Sequence, residues 1–358
     1  MSKDINTVFE VEQFSLDREN KREILLPLFN QLHLHHYDHS EDYRRLTEKL
    51  FNNRKTINSI EELPFFPVNA FKNYPLKSIP DENIYKIITS SGTSQSVPSK
   101  IYLDSETAQL QVKALSKIIT KVMGKDRLPM LIIDSKIVLK DRTSFSARGA
   151  GILGLSVFGK DHTYLLDEKY EIDYEAIKNF MAKYNGKKIL IFGFTFMVWE
   201  FLFNAKFDFD IDLSNAILFH SGGWKKMLSM AVTNEKFKSE LEEKFGLKEV
   251  YNFYGMAEQV GSVYLENSEG YLHCPNYSDI IIRNPLDYSV QKNGEEGLIQ
   301  VVSVLPKSYP GHSILTDDIG ICVGEDDSIS GWKGNYFKIL GRIKKAELRG
   351  CSDTFLTN

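Results

Sequence analysis

The sequence predicts an α/β fold built on a partly parallel sheet. Three observations carry that prediction. From about residue 86 to residue 270, short apolar strand signals alternate with apolar stripes at helical spacing, the pattern of repeated strand–helix units. Before that stretch the chain is charged and helix-like. After it, turns and short strands dominate. The expected organisation is a mostly helical region over 1–85, an α/β core over 86–270 and a β-rich subdomain over 271–358.

Taken in order, the helical region is interrupted by Leu63-Pro64-Phe65-Phe66-Pro67-Val68, whose prolines exclude it from a helix interior. Its His33, His35 and His36 lack metal-ligand spacing, so the region either serves a partner or covers the sheet. Ser105 is placed to cap a helix bearing Leu115, Ile118, Ile119 and Val122, which closes at Gly124. Leu128 to Ile133 reads as a buried strand, against which Pro129 argues. Tyr174, Ile177, Phe180, Met181 and Tyr184 recur at helical spacing until Asn185-Gly186. Lys188 to Phe194 reads as a strand. The apolar stretch Ile189 to Ala205 continues into a helix and is short for a membrane span. Phe237, Leu241 and Phe245 form another stripe closed by Gly246, and the strand Glu249 to Phe253 follows. Farther on, Asn293-Gly294 marks a turn, with strands at Leu298 to Val304 and Tyr336 to Leu340.

With 358 residues, 42% hydrophobic, the chain can bury a large core. Its 44 basic and 48 acidic residues give a net charge of −4, no bulk electrostatic reason to expect nucleic acid or an anionic membrane as partner. The three cysteines, Cys274, Cys322 and Cys351, have no CxxC spacing, which argues against a disulfide framework or a structural zinc site. Cys274 and Cys322 sit in apolar, strand-like contexts and are expected to be buried. The N-terminus opens without an apolar run, so no secretory signal is expected and a reducing cytoplasmic setting fits.

Four segments bear chemistry. The hydroxyl-rich run Ser90-Ser91-Gly92-Thr93-Ser94-Gln95-Ser96-Val97-Pro98-Ser99-Lys100 joins two apolar segments. Its backbone N–H groups, hydroxyls and lysine suit a polyphosphate, although it is not a Walker loop and alone reads equally as a solvated connection. Asn252-Phe253-Tyr254-Gly255-Met256-Ala257-Glu258 follows a strand, where α/β proteins bind ligands. There an aromatic ring can stack on a purine and a carboxylate can hold the cation that accompanies ATP, or the segment is an ordinary turn. Leu315-Thr316-Asp317-Asp318-Ile319-Gly320 sets adjacent carboxylates before a strand, suited to ribose hydroxyls or to a plain turn. Gly341-Arg342-Ile343-Lys344-Lys345-Ala346-Glu347-Leu348-Arg349-Gly350-Cys351 brings basic groups towards a thiol, whose pKa they would lower.

Each signal is weak alone, but their order and spacing resemble the adenylate-forming superfamily of acyl-CoA synthetases, luciferase and peptide-synthetase adenylation domains. Ser90 to Lys100 looks like its phosphate loop, Tyr254 to Glu258 like its Tyr-Gly-x-Thr-Glu motif, Thr316-Asp317-Asp318 like its Thr-Gly-Asp motif, and Gly341-Arg342 like the start of its hinge. Within that superfamily the chain is most similar to the acyl-protein synthetases of bacterial fatty-acid reductase systems. Pro64 to Lys72, His220-Ser221-Gly222-Gly223-Trp224-Lys225 and Arg349-Gly350-Cys351-Ser352-Asp353 carry that likeness, which runs from about residue 60 to the end.

The resemblance implies the large N-terminal domain of the adenylate-forming fold, with mixed and parallel sheets flanked by helices and a β-rich subdomain. It implies ATP and Mg2+ as cofactors, a carboxylic acid as substrate and a protein acyl acceptor, such as an acyl reductase, as partner. Ser91, Gly92, Thr93, Ser94 and Lys100 would hold the ATP phosphates, Lys100 catalytically. Tyr254 and Gly255 would meet adenine, Asp318 the ribose, Arg342 the nucleotide and Glu258 magnesium. His220 precedes Ser221-Gly222-Gly223, a turn expected to approach the acid, or is a capping or packing histidine. Gly222 and Gly223 are expected near the acid, and Phe192, Phe194, Phe196 and Trp199 line a pocket or are plain core. Cys351 matches the near-terminal acyl-accepting cysteine.

The departures are Gln95 for glycine, Ala257 for threonine, Asp317 for glycine, and Lys344 and Glu347 in the hinge. Since the sequence stops soon after Gly350, the small mobile C-terminal domain with its catalytic lysine is expected to be absent. The resulting expectation is ATP-dependent formation of an acyl-AMP followed by transfer to Cys351. The alternatives are an acyl-CoA or acyl-carrier ligase in which Cys351 is structural, or a nucleotide-binding relative without catalysis.

Overall fold

A computed structural model describes residues 4–90, 98–139, 147–224 and 231–343. Helices lead. After α1 (Thr7–Glu10), α2 (Arg18–His39) starts where the Asp17 carboxylate accepts from the Asn20 N–H, and α3 (Glu41–Leu50) starts on Ser40. The strand β1 (Phe66–Pro67) and the short helix α4 (Ala70–Asn73) follow. Next come the hairpin β2 (Lys86–Thr89) and β3 (Lys100–Leu103), and then α5 (Ser105–Met123). The cap of α5 is Asp104, not Ser105. The Asp104 carboxylate accepts from the Thr107 N–H at 2.7 Å, and Ser105 becomes the first helical residue.

The core alternates β4 (Leu128–Ser135), α6 (Ala147–Ser156), β5 (Gly159–Leu166), α7 (Tyr174–Tyr184) and β6 (Ile189–Phe194). It continues with α8 (Thr195–Met197), β7 (Ala216–Ser221), α9 (Asn234–Phe245) and β8 (Glu249–Tyr254). Pro129 is tolerated in β4 because it lies where the register to β5 shifts and before pairing with β6 begins at Met130. Past residue 260 the strands are β9 (Tyr264–Glu266), β10 (Leu272–His273), β11 (Ser278–Arg283), β12 (Glu296–Ser303), β13 (Ser313–Glu325) and β14 (Asn335–Arg342). Thr316-Asp317-Asp318 thus lies inside a long strand and not in a turn before one; it forms the irregularity where the β12 register steps from Leu315 to Ile319, and pairing with β14 begins at Asp318.

Among the described residues, twelve strands form one sheet in the order β11-β12-β13-β14-β10-β9-β8-β7-β6-β4-β5, with β1 joined to β13. The run β8-β7-β6-β4-β5 is parallel and the other half antiparallel, apart from the parallel pair β1–β13. On one face, Ile118 of α5, Ile152 of α6 and Leu25 and Phe29 of α2 cover Ile132, Phe192 and Phe219. On the other, Ile177 and Phe180 of α7 and Phe237 and Leu241 of α9 cover Ile133, Ile191 and Leu218. The helical segment after β6 departs from α geometry, becoming a π-helix over Val198–Phe203. Gly193 permits its descent onto the sheet. A Cβ there would stand 2.8 Å from Ile133 Cβ and from Val198 Cγ2.

The N-terminal helices join the β-rich half through buried histidines. His33 Nδ1 accepts from the Tyr43 hydroxyl at 2.7 Å, and Tyr43 Oη lies 3.2 Å from His312 Nε2. His36 donates from Nε2 to the Pro306 carbonyl and accepts at Nδ1 from Ser78. The His36 and His312 rings stack at 4.8 Å. Cys274 and Cys322 are buried free thiols, and burial pushes both upward, Cys322 to about 12. No helix among the described residues is long and apolar enough to cross a membrane.

Candidate active site

The parallel strands β6, β7 and β8 deliver their carboxyl ends to one edge, the edge at which open α/β sheets bind ligands. Tyr254 closes β8. Its hydroxyl donates to Asp318 Oδ2 at 2.7 Å. Arg342 Nε donates to Asp318 Oδ1 at 3.0 Å, since the β13–β14 register sets Asp318 opposite Arg342. One carboxylate therefore joins the ends of two distant stretches of chain. Burial first, and then the Asp318 charge, raise the Tyr254 phenol well above its ordinary range, so it stays a donor. The Asp318 backbone is fixed in turn. Its N–H donates to Thr316 Oγ1 at 3.1 Å, and that buried hydroxyl donates to the Ile299 carbonyl at 2.7 Å.

Beyond Tyr254, the exposed Gly255 leads into the short 3-10 turn Ala257–Gln259, which carries Glu258. Glu258 is buried, and its carboxylate makes no hydrogen bond or ion pair among the described residues. Gly311 lies over the backbone of this turn; a Cβ there would stand 2.8 Å from the Glu258 carbonyl. The Tyr309 phenol beside it is raised by burial and then by the Glu258 charge. A buried carboxylate without a hydrogen-bond or ion-pair partner among the described residues suits a hard cation, which prefers oxygen ligands.

The β2–β3 hairpin packs through β3 against the Glu258 turn. At its loop end the Ser90 N–H donates to the Ser99 carbonyl at 3.1 Å and the Ser99 N–H donates to Ser90 Oγ at 2.9 Å. Lys100, exposed, pairs with Thr89 just beneath. Ser91, Gly92, Thr93, Ser94 and Gln95 lie outside the described residues, as do Lys225, Lys344, Glu347 and Cys351.

His220 is the last residue but one of β7, which lies beside β8 with Ser221 opposite Phe253. Gly222 and Gly223 therefore emerge next to Tyr254 and are exposed. Gly222 is in the left-handed region with φ +81°, and a Cβ would lie 3.2 Å from the Phe194 ring. His220 turns away from this edge. It is buried, its ring centroid 4.7 Å from that of Phe237, and its Nδ1 lies 2.9 Å from Thr195 Oγ1. Burial, and secondarily the Lys238 charge, push it down to about 3, so it is neutral near pH 7.

Two groups at this edge escape a reading of the sequence. Asp134 at the end of β4 is buried and accepts from Arg148 Nη2 at 2.8 Å, and the guanidinium lies 5.4 Å from the Tyr170 ring centroid. Thr195 contacts His220, Ser221 and Gly222. Strand-end position was the available signal for both, and nothing in the spacing names their partners. Phe192 is fully buried core, and Phe194 packs between both faces of the sheet.

The fold is shared with 2-hydroxyisobutyryl-CoA ligase, solved in a postadenylation state with 2-HIB-AMP. The match has a TM-score of 0.68 at 16% identity, over 92% of this chain and 69% of that one. Two curated relatives are long-chain-fatty-acid–luciferin-component ligases. The one from Vibrio harveyi is 23% identical over 95% of this chain and 89% of its own length. The one from Aliivibrio fischeri is 24% identical over 93% and 88%. A family pattern takes in all the elements above, helical N-terminal layer included, from residue 1 to 357, and so the chain belongs to the acyl-protein synthetase family, LuxE.

Proposed function

We propose that the chain activates a carboxylic acid, of the fatty-acid class that its relatives' names carry, as an acyl-adenylate, and then moves the acyl group to Cys351 for collection by a partner protein. The observation that supports this most directly is the hydrogen-bonded set Tyr254–Asp318–Arg342 beside the Gly222-Gly223 turn. In the first step a carboxylate oxygen bonds to the α-phosphorus of ATP, and the bond from that phosphorus to the bridging oxygen breaks. The products are acyl-AMP and pyrophosphate. In the second step a thiolate attacks the acyl carbon and expels AMP, leaving a thioester.

The protein's contribution is orientation and charge. Tyr254 lies against adenine, Asp318 accepts from the ribose hydroxyls and Arg342 sits at the ribose–phosphate end. Lys100, with Ser91, Gly92, Thr93 and Ser94, faces the phosphates. Glu258 would hold Mg2+, which supplies charge neutralisation on the phosphate oxygens. Gly222 and Gly223, lacking side chains, leave room for the acid. Cys351 follows Arg342 by only nine residues, so an extended chain lets its sulfur range up to about 30 Å from that side chain's backbone. Lys344, Lys345 and Arg349 favour its thiolate.

The test is intact mass under non-reducing conditions after incubation with ATP, Mg2+ and a panel of carboxylic acids. A hydroxylamine-labile acyl adduct on Cys351 is expected. Cys351→Ser should abolish the adduct and keep acid-dependent ATP–pyrophosphate exchange within about twofold, as no transition-state contact of the first step is lost. An undiminished thioester in that variant would sink the Cys351 assignment. AMP release that requires CoA would move the protein to the ligases that use it.

A further inference from the structure

We infer that Thr195 is a positioning residue for the acid-binding turn, held in register by His220 behind it. The inference rests on the reading that Gly222 and Gly223 meet the acid. The Thr195 hydroxyl lies 2.7 Å from the Gly222 carbonyl and 2.9 Å from His220 Nδ1. The Gly222 carbonyl can only accept, and a hydroxyl oxygen reaches 2.7 Å from it only by donating, so the single hydroxyl proton points at Gly222. Thr195 Oγ1 is then an acceptor towards the ring, which must donate from Nδ1. The chain of donors runs in one direction, from His220 Nδ1–H to Thr195 Oγ1–H to the Gly222 carbonyl.

Three further features fit this order. The ring is neutral, so one nitrogen carries the proton, and its Nε2 is buried with no partner among the described residues. Thr195 heads the segment that becomes the π-helix, and the extra residue in such a turn re-aims side chains at a strand end. Gly222 sits at φ +81° against the Phe194 ring, one of several conformations open to glycine, so the hydrogen bond from Thr195 selects among them. Removing the hydroxyl leaves a donor and an acceptor unpaired and frees the turn, while the Tyr254–Asp318–Arg342 set keeps its own hydrogen bonds.

The experiment compares Thr195→Val, Thr195→Ser and His220→Asn in the full chain. Asn presents an N–H where Nδ1 stands. Thr195→Val should raise the KM for the acid about tenfold in ATP–pyrophosphate exchange, with the KM for ATP moved less than about twofold. Thr195→Ser and His220→Asn should recover most of that loss. Amide hydrogen exchange across 220–224 should quicken in Thr195→Val and not in Thr195→Ser. Should Thr195→Val fail to fold, His220→Phe, which removes only the upstream donor, takes its place in both measurements. Unchanged amide exchange overturns the positioning role. Faster exchange with an unchanged acid KM overturns the link between the turn and the acid. A parent protein that activates no acid fails the function itself, and amide exchange still decides whether Thr195 holds the turn.

Discussion

Asp318 is the residue on which the site turns, because it takes a phenol and a guanidinium on separate oxygens. Asp318→Ala should leave the Tyr254 hydroxyl half-buried without an acceptor and raise the KM for ATP by about 10-fold or more in pyrophosphate exchange. Tyr254→Phe keeps the ring and loses one hydrogen bond, so about a fivefold rise is expected. Equal and small effects for both would mean that Asp318 does not meet the nucleotide. The sequence offered these residues as separate motifs, with Tyr254 assigned a stacking ring and Asp318 a ribose. The bond between them was not legible, since it joins positions 64 apart and uses the hydroxyl that the motif does not emphasise. His220 was legible as part of a glycine turn. Between the acid turn and a packing role the sequence left it open; alternation along β7 sends that side chain to the Phe237 face while the turn beyond faces the ligand edge.

Elements follow the same rule: what is periodic in sequence is read correctly, and what depends on neighbours is not. The stripes of α7 and α9 appear as expected, and Gly246 closes α9 in the left-handed conformation. The π-helix over Val198–Phe203 leaves no periodic trace, and Thr316-Asp317-Asp318 was placed before a strand, not inside β13, because its acidic residues resemble a turn. Asp104 displaced Ser105 as cap because its carboxylate reaches the Thr107 N–H. Asp104→Ala should therefore destabilise by about 1 kcal/mol, and Ser105→Ala by much less. Gly193→Ala should cost roughly 2–3 kcal/mol in urea unfolding, since its methyl meets the Ile133 and Val198 side chains in a packed core. A Gly193→Ala protein as stable as its parent would mean that the π-helix is free to lift.

Across the whole molecule, the buried histidines set a pH limit. Burial lowers His33, His36, His220, His273 and His312 in the folded state. Above about pH 6.5 these rings are neutral both folded and unfolded, so they add no pH dependence. Below it the unfolded chain takes up protons that the folded chain refuses, and stability falls as pH falls. The loss approaches about 1.4 kcal/mol per pH unit for each such ring until its folded pKa is reached, about 4 for His273 and about 3 for His220. Urea midpoints should drop between pH 6.5 and 5, and a flat profile there would refute this account. The sequence revealed the α/β core and its motifs but not this cluster, which depends on His312 arriving from a distant loop to stack on His36.

The pairing of Phe66 with Ile314 has a consequence for synthesis. The partner strand leaves the ribosome about 250 residues later, which at 5–20 residues per second is roughly 12–50 seconds. Throughout that interval β1 and Tyr43 of α3 lack the β-rich half against which they pack. The nascent chain must carry exposed Tyr43 and Phe66, so its yield in a cell should depend on holding chaperones more than its final stability suggests.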